Sequence, residues 1–156
     1  MGERPRILIV DDDEGIRKVL ATVLEEKGYI VDTAETGREA IEKTSKHFYN
    51  LALFDIRLPD MEGTKVIANV KDTVPKMRKI IITGFPSIQN AIEALNKGAD
   101  AYITKPFDMD YVLKVVKEQL KKQEEEQKYS QEKVTEFIET RVKELEEAAV
   151  KQETKR

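Results

Sequence analysis

Short runs of apolar residues alternate with stretches of helical periodicity along the first three quarters of the chain. Three runs lie at 7–10, 51–54 and 80–82, and two weaker candidates lie at 30–34 and 101–103. Apolar runs without polar alternation are typical of strands buried on both faces, as in a parallel sheet covered by helices. The pattern therefore predicts five strands in a buried parallel sheet.

Between these runs, apolar residues recur every three or four positions, which predicts amphipathic helices. The stripes lie at 16–24, 40–41, 66–70, 88–95 and 112–116. Gly28 and Gly98 follow two of them, and glycine is a common helix-ending residue. Five strands alternating with five helices predict an α/β fold, a doubly wound parallel sheet with right-handed crossovers.

After Leu120 the composition changes to a strongly charged segment, so we expect a domain at 1–120 and an extension at 121–156. The extension contains no Gly or Pro, and an apolar stripe at Val134, Ile138, Val142, Leu145 and Ala149 predicts a helix. This stripe covers only about two heptads, too few to establish a coiled coil by pattern alone. Pairing with a second copy, docking on the first domain and binding another protein all stay open.

Composition narrows the class of protein. The 156 residues carry 27 Lys and Arg against 30 Asp and Glu, a formal net charge of −3, which weighs against nucleic acid as a partner. The absence of Cys excludes disulfides and zinc–thiolate sites. No apolar run approaches the roughly 18 residues of a membrane span, and the first residues do not resemble a signal peptide. We therefore expect a cytoplasmic protein with no membrane contact.

Polar side chains follow four of the predicted strands. Asp11, Asp12 and Asp13 follow the first, Asp55 the third, Thr83 the fourth and Lys105 the fifth. The carboxyl ends of the strands in an open parallel sheet line the binding crevice. We therefore expect these groups to converge at one edge of the sheet.

The chemistry of such a cluster is restricted. Neighbouring carboxylates repel one another, so their pKa values rise or a cation lies among them. Oxygen ligands without His or Cys favour a hard ion such as Mg²⁺. The lysine and threonine add groups that bind a phosphoryl oxygen, and the available nucleophile is a carboxylate, which would form an aspartyl phosphate.

Four stretches of the sequence carry a resemblance to a known family. They are Ile-Leu-Ile-Val-Asp-Asp-Asp at 7–13, Asp-Ile-Arg-Leu-Pro-Asp-Met-Glu-Gly at 55–63, Ile-Ile-Thr-Gly at 81–84 and Ala-Tyr-Ile-Thr-Lys-Pro-Phe at 101–107. Over roughly residues 4–120 the chain resembles the receiver (CheY-like) domain of two-component response regulators. The resemblance implies a flavodoxin-like sheet of strand order 2-1-3-4-5, with an output face built by the fourth helix, fifth strand and fifth helix.

The same resemblance implies a phosphoacceptor and a metal site. Asp55 would accept a phosphoryl group from a partner histidine kinase or phosphotransfer protein. Asp12, Asp55 and the backbone carbonyl of Arg57 would coordinate Mg²⁺, and Asp11 would act mainly through water. The chain would thus be a signalling phosphoacceptor that loses its phosphate slowly, and not an enzyme.

The switch is also implied by the resemblance. Lys105 would bind the phosphoryl group, Thr83 would hydrogen-bond to it, and Tyr102 would be the aromatic residue that reorients on activation. The output would be a conformational change or altered dimerisation, through the receiver face or the C-terminal helix.

Two alternatives remain open. Over 83–95 the chain resembles receivers that precede ATPase domains. One alternative is therefore a receiver and linker cut from a longer regulator whose ATPase or DNA-binding output is missing. The other alternative is a Mg-dependent phosphatase of the haloacid dehalogenase type, which uses an aspartyl phosphate. Such enzymes carry a second Asp two residues after the nucleophile, where this chain has Arg57.

Overall fold

The computed structural model describes residues 3–154, which form five strands and five helices in strict alternation. Their bounds are β1 Arg6–Val10, α1 Glu14–Glu26, β2 Ile30–Ala34, α2 Gly37–Lys46, β3 Leu51–Asp55, α3 Gly63–Asn69, β4 Arg78–Thr83, α4 Ile88–Asn96, β5 Ala101–Thr104 and α5 Met109–Thr154. The predicted alternation is therefore confirmed, and the last helix continues without a break into the charged extension.

The five strands form one parallel sheet of order β2-β1-β3-β4-β5. The flavodoxin-like doubly wound fold is confirmed. Strands β1, β3 and β4 lie inside the sheet and are almost wholly buried, which explains their uninterrupted apolar runs. The register aligns the ends of the inner strands, since Val10 pairs with Phe54 and Asp55 pairs with Ile82.

Alternate residues of the inner strands build two separate cores. On one face, Leu8, Phe54 and Ile81 pack with side chains of α2, α3 and α4. On the other face, Leu53 and Ile80 belong to a core completed by α1 and by the first part of α5. The sheet is thus covered by helices on both faces, which leaves the ends of its strands open for binding.

Polar caps and glycines fix where the helices begin and end. The Asp13 carboxylate accepts a hydrogen bond from the backbone N–H of Ile16 at the start of α1, and Ser87 caps α4 in the same way. Gly28 and Gly98 have φ values of 95° and 106° at the ends of these two helices. This left-handed conformation favours glycine, so both predicted helix-ending signals are confirmed.

The chain divides into two compact units, one ending at Gln123 and the other beginning at Glu124. In the first unit, Val112 and Val116 of α5 are fully buried, and the side chains of Gln119 and Gln123 are buried as well. In the second unit, every residue from 124 to 152 is exposed. Within residues 3–154, no helix has the length and apolar character needed to cross a membrane.

Candidate phosphorylation site

The carboxyl ends of the strands bring together the polar residues that the sequence singles out. Asp11 directly follows β1, while Asp55 and Thr83 are the last residues of β3 and β4. Lys105 directly follows β5, and its backbone N–H donates to the carbonyl of Thr83 at 2.7 Å. The expected convergence at one sheet edge follows from the parallel register of four strands.

Three carboxylates form the floor and rim of this site. One oxygen from each of Asp11, Asp12 and Asp55 lies within 4.8 Å of the others. Asp11 and Asp55 are buried, with 3% and 8% of their surface exposed, while Asp12 is exposed. Three carboxylate oxygens this close together form an all-oxygen donor set of the kind that hard divalent cations such as Mg²⁺ prefer. Asp13 does not join the cluster, because its carboxylate caps α1.

Lys105 neutralises part of this negative charge. Its Nζ donates to Asp11 Oδ2 at 3.0 Å and to Asp55 Oδ2 at 3.3 Å. Burial acts to lower the pKa of Lys105, but the hydrogen bond with Asp11 and the charges of both carboxylates outweigh it and raise the pKa. The ammonium therefore stays charged beside both carboxylates.

Two opposing influences act on Asp55. Burial raises the pKa of its carboxyl group, and the negative charge of Asp11 adds to that increase. The backbone N–H of Arg57, which donates to Asp55 Oδ1 at 3.2 Å, and the ammonium of Lys105 act in the opposite direction. A bound cation would add to the second influence and keep the carboxylate ionised.

Thr83 is fully buried, and its hydroxyl oxygen accepts a hydrogen bond from the backbone N–H of Phe85 at 3.0 Å. This contact ties the position of the Thr83 side chain to the loop between β4 and α4. The Thr83 hydroxyl retains its own proton for donation to another acceptor. A movement of Thr83 toward Asp55 would therefore break a contact that now holds this loop.

The backbone of Arg57 contacts the Asp55 carboxylate, whereas its guanidinium contacts Phe85. The guanidinium stacks on the ring of Phe85, 3.9 Å from the ring centroid. This is a cation–π contact between the two loops that flank the site. The predicted metal contact of the Arg57 carbonyl stays a prediction.

Tyr102 takes no part in the hydrogen bonds of the site. Its ring is partly buried against the core that contains Ile81, its neighbour across β4 and β5. The Tyr102 hydroxyl is buried and has no hydrogen-bond partner among residues 3–154. The predicted reorientation of Tyr102 stays a prediction.

Residues 7–117 match the family described as response regulator receiver domain. The chain belongs to that family. Its members are signalling phosphoacceptors, so this chain is a receiver and the function class expected from its sequence is confirmed.

The relatives include longer regulatory proteins. The regulatory protein AtoC of Escherichia coli K12 is 34% identical over 118 residues, which are 76% of this chain and 26% of AtoC. The transcriptional regulatory protein ZraR of Klebsiella oxytoca is 36% identical over 119 residues, which are 76% of this chain and 27% of ZraR. This chain thus spans about a quarter of the length of these relatives.

Solved receiver structures share the fold. A CheY-like receiver domain protein from Methanospirillum hungatei JF-1 is 47% identical with a TM-score of 0.76, covering 80% of this chain and 99% of that one. A beryllofluoride-activated NtrC4 receiver domain, a dimer in solution, is 37% identical with a TM-score of 0.71, covering 76% of this chain and 98% of that one.

Arg17 supports the receiver site in a way that sequence reasoning missed. Its side chain is largely buried, and Nη1 donates to the backbone carbonyl of Asp11 at 2.7 Å while Nη2 donates to Glu35 at 3.1 Å. The guanidinium therefore holds the loop that carries the acidic residues. The sequence does contain one signal for this role. Arg17 lies three residues before Leu20 and seven before Leu24, which places it on the buried face of α1.

Gly63 is a second residue whose importance the sequence analysis did not state. A Cβ atom at this position would lie 2.2 Å from the carbonyl oxygen of Asp55. The backbone N–H of Gly63 donates to the carbonyl of Ile56 at 2.7 Å. Only glycine allows α3 to begin this close to the end of β3. The signal in the sequence is the position of Gly63 at the end of the 55–63 motif.

Asp60 lies in the loop after β3 and connects two distant parts of the receiver. Its carboxylate accepts hydrogen bonds from the backbone N–H groups of Gly37 at 2.8 Å and Arg38 at 2.9 Å. These bonds lower the pKa of Asp60. The residue therefore caps α2 from another loop, a contact across more than twenty positions that local sequence patterns do not reveal.

Proposed function

We propose that Asp55 accepts a phosphoryl group from a phosphohistidine of a partner histidine kinase or phosphotransfer protein. The observation that supports this most strongly is the buried Asp55 carboxylate, 3.3 Å from Lys105 Nζ and within 4.8 Å of two further carboxylates. A carboxylate oxygen of Asp55 attacks the phosphorus, and the phosphorus–nitrogen bond of the donor breaks. The donor imidazole keeps the electron pair and takes up a proton.

The donor set fits Mg²⁺. Asp12 and Asp55 would hold the ion together with the backbone carbonyl of Arg57, and Asp11 would act mainly through water. When bound, Mg²⁺ neutralises charge on the phosphoryl oxygens and on the carboxylates that surround them. Lys105 binds a phosphoryl oxygen, a role supported by the contacts of its ammonium with Asp11 and Asp55.

The phosphoryl group then acts on Thr83. Its new acceptor oxygens attract the Thr83 hydroxyl, which gives up its contact with the Phe85 N–H and releases the loop after β4. Tyr102 moves toward the space that Thr83 leaves. The Arg57 guanidinium stacks on the ring of Phe85, so movement of Phe85 alters both loops that flank the site.

A signalling role is favoured over a phosphatase. The position two residues after Asp55, where haloacid dehalogenase-type enzymes place a general acid, holds Arg57, whose guanidinium is stacked on Phe85. Slow self-catalysed loss of the phosphoryl group completes the cycle. We place this reaction in the cytoplasm. We assign residues 1–120 to the receiver domain and residues 121–156 to a helical extension.

The conformational change in the receiver is transmitted to a partner protein. We propose that the chain pairs with a second copy through the receiver face or the C-terminal helix. The alternative is that it is the receiver and linker of a longer regulator, which the greater length of AtoC and ZraR supports.

The test is phosphoryl uptake from acetyl phosphate in Mg²⁺, followed by intact-mass spectrometry. Unaltered protein should gain one phosphoryl group and Asp55→Asn none. Asp13→Asn is the matched control, because this neighbouring acid caps α1 and an asparagine also caps helices; it should behave like the unaltered protein. Circular dichroism checks that Asp55→Asn is folded. A phosphorylated Asp55→Asn protein would overturn the assignment.

A further inference from the structure

The extension carries one continuous apolar stripe, which we call the zipper face. It consists of Val134, Ile138, Val142, Leu145 and Ala149. All five are exposed, and the four larger side chains expose between 48% and 58% of their surface. Spacings of four, four, three and four keep these residues on one side of the helix, and the last four residues follow the alternating four-three spacing of a heptad. A helix with such a face normally buries it against another helix.

Charged residues beside the zipper face are distributed unequally between its two sides. Glu139 and Glu146 lie seven residues apart along one side, which we call the acidic flank. Glu146 lies four positions after Val142 and three before Ala149, so it borders the zipper face. Arg141 borders the other side, because it lies three positions after Ile138 and four before Leu145.

This asymmetry selects between the two ways in which a second copy can pair. In a parallel pair of helices, each flank meets the opposite flank of the partner; in an antiparallel pair, each flank meets its own copy. Parallel pairing brings Arg141, whose guanidinium contacts Glu144 of its own helix at 3.1 Å, near Glu146 of the second copy as well. Glu146 lies five positions further along, the usual spacing of interhelical ion pairs. Antiparallel pairing would set the acidic flanks against each other.

We infer that the extension pairs in parallel with a second copy of the chain through the zipper face, with Arg141 facing Glu146 of that copy. The inference rests on the part of the proposed function in which the chain dimerises, and it adds the surface and the orientation. It does not depend on phosphorylation of Asp55. Because the zipper face covers about two heptads, we expect pairing that depends on protein concentration.

Disulfide cross-linking of the full chain tests this orientation. The chain contains no Cys, so each variant carries a single thiol. Gln131→Cys and Gln152→Cys place that thiol at either end of the zipper face, three positions before Val134 and three after Ala149. Thr140→Cys, exposed on the opposite side of the helix, is the matched control. The two end variants are mixed, equilibrated in a glutathione redox buffer and mapped by peptide mass spectrometry.

Parallel pairing predicts 131–131 and 152–152 disulfides well above the level of the Thr140→Cys control, with few mixed 131–152 disulfides. A predominance of mixed disulfides would establish antiparallel pairing and overturn the inference. Cross-linking no greater than that of Thr140→Cys at every protein concentration would overturn it as well. Phosphoryl uptake measured on the same samples keeps the two proposals separate, since Asp55 can be phosphorylated in either case.

A charge exchange supplies an independent readout of the Arg141–Glu146 contact. Arg141→Glu and Glu146→Arg should each weaken dimerisation about fivefold, the effect expected for two exposed ion pairs per dimer. The double variant should restore it. Light scattering or sedimentation measures the association constant. A Glu146→Arg protein that dimerises more tightly than the unaltered chain would indicate relieved repulsion between acidic flanks and would contradict the parallel arrangement.

Discussion

The receiver and the extension contain similar residue types, but these residues differ in burial and in the contacts that they make. In the receiver, Ile81 is fully buried between the sheet and its covering helices, whereas in the extension Ile138 exposes 54% of its surface. Receiver polar groups such as Arg17 and Asp60 hold distant loops, while the extension has local ion pairs such as Arg141 with Glu144. The receiver fold is therefore stabilised by burial, and the extension helix by good helix formers and neighbouring charges.

The two regions also differ in how much apolar surface they leave exposed. The receiver buries the apolar side chains of its inner strands, and its candidate site consists of polar residues at the strand ends. The extension has no buried residue between 124 and 152, and we propose that a second copy covers its zipper face. Matched substitutions in the two regions test this contrast directly.

The largest expected difference is between two phenylalanines. Phe54 is fully buried and Phe137 exposes 70% of its surface. Phe54→Ala should lower the free energy of unfolding of the receiver by about 4 kcal/mol, because it removes a large core side chain and leaves a cavity. Phe137→Ala should change it by less than about 0.5 kcal/mol. Urea unfolding followed by circular dichroism measures both, and equal losses would contradict the contrast.

A smaller difference is expected where the receiver part of α5 ends. The Gln123 side-chain amide donates to the carbonyls of Asn50 and Lys76, both at 2.8 Å, and its oxygen accepts from the Asn50 side chain. Gln123→Ala should cost about 1.5 kcal/mol, because buried acceptors lose their donors. Gln127→Ala, one turn later and exposed, should have almost no effect.

The same urea titration measures this pair. If Gln127→Ala destabilised the receiver as much as Gln123→Ala, the boundary between the buried and the exposed parts of α5 would lie further along the helix.

The smallest expected effect concerns a buried charge. Lys79 exposes 5% of its surface, and its pKa is lowered from the ordinary value of 10.5 by burial and by Lys76, against the attraction of Asp72 and Asp100. Lys79→Met should therefore raise the free energy of unfolding at neutral pH, because it removes a charge that burial disfavours. Lys143→Met, at an exposed position of the extension, is the control and should change little.

The pH dependence gives the sign of this effect. A lysine whose folded-state pKa lies below its unfolded value destabilises the fold fully below the folded pKa, and the penalty disappears as the pH rises to the unfolded pKa. The advantage of Lys79→Met should therefore be greatest at neutral pH and shrink above it. An advantage that grows with pH in urea titrations would contradict this account of Lys79.

Much of the receiver fold follows from local patterns. The run at 7–10 predicts β1 because both faces of an inner parallel strand are buried, and its following acids predict a site because parallel strand ends meet. The contact of Arg17 with the Asp11 carbonyl, the cap that Asp60 gives α2 and the close approach of Gly63 to Asp55 depend on how loops lie against one another. No spacing rule encodes those distances, so only the structure reveals them.

The most direct measurement is the chemical position of the phosphoryl group. The protein is phosphorylated with acetyl phosphate in Mg²⁺ and reduced with borohydride, which converts an aspartyl phosphate to homoserine, and its peptides are mapped by mass spectrometry. Our account predicts homoserine at position 55 and at no other acidic residue. Homoserine at Asp11 or Asp12, or phosphoryl uptake with Asp55 unchanged, would contradict the central claim that Asp55 is the phosphoacceptor.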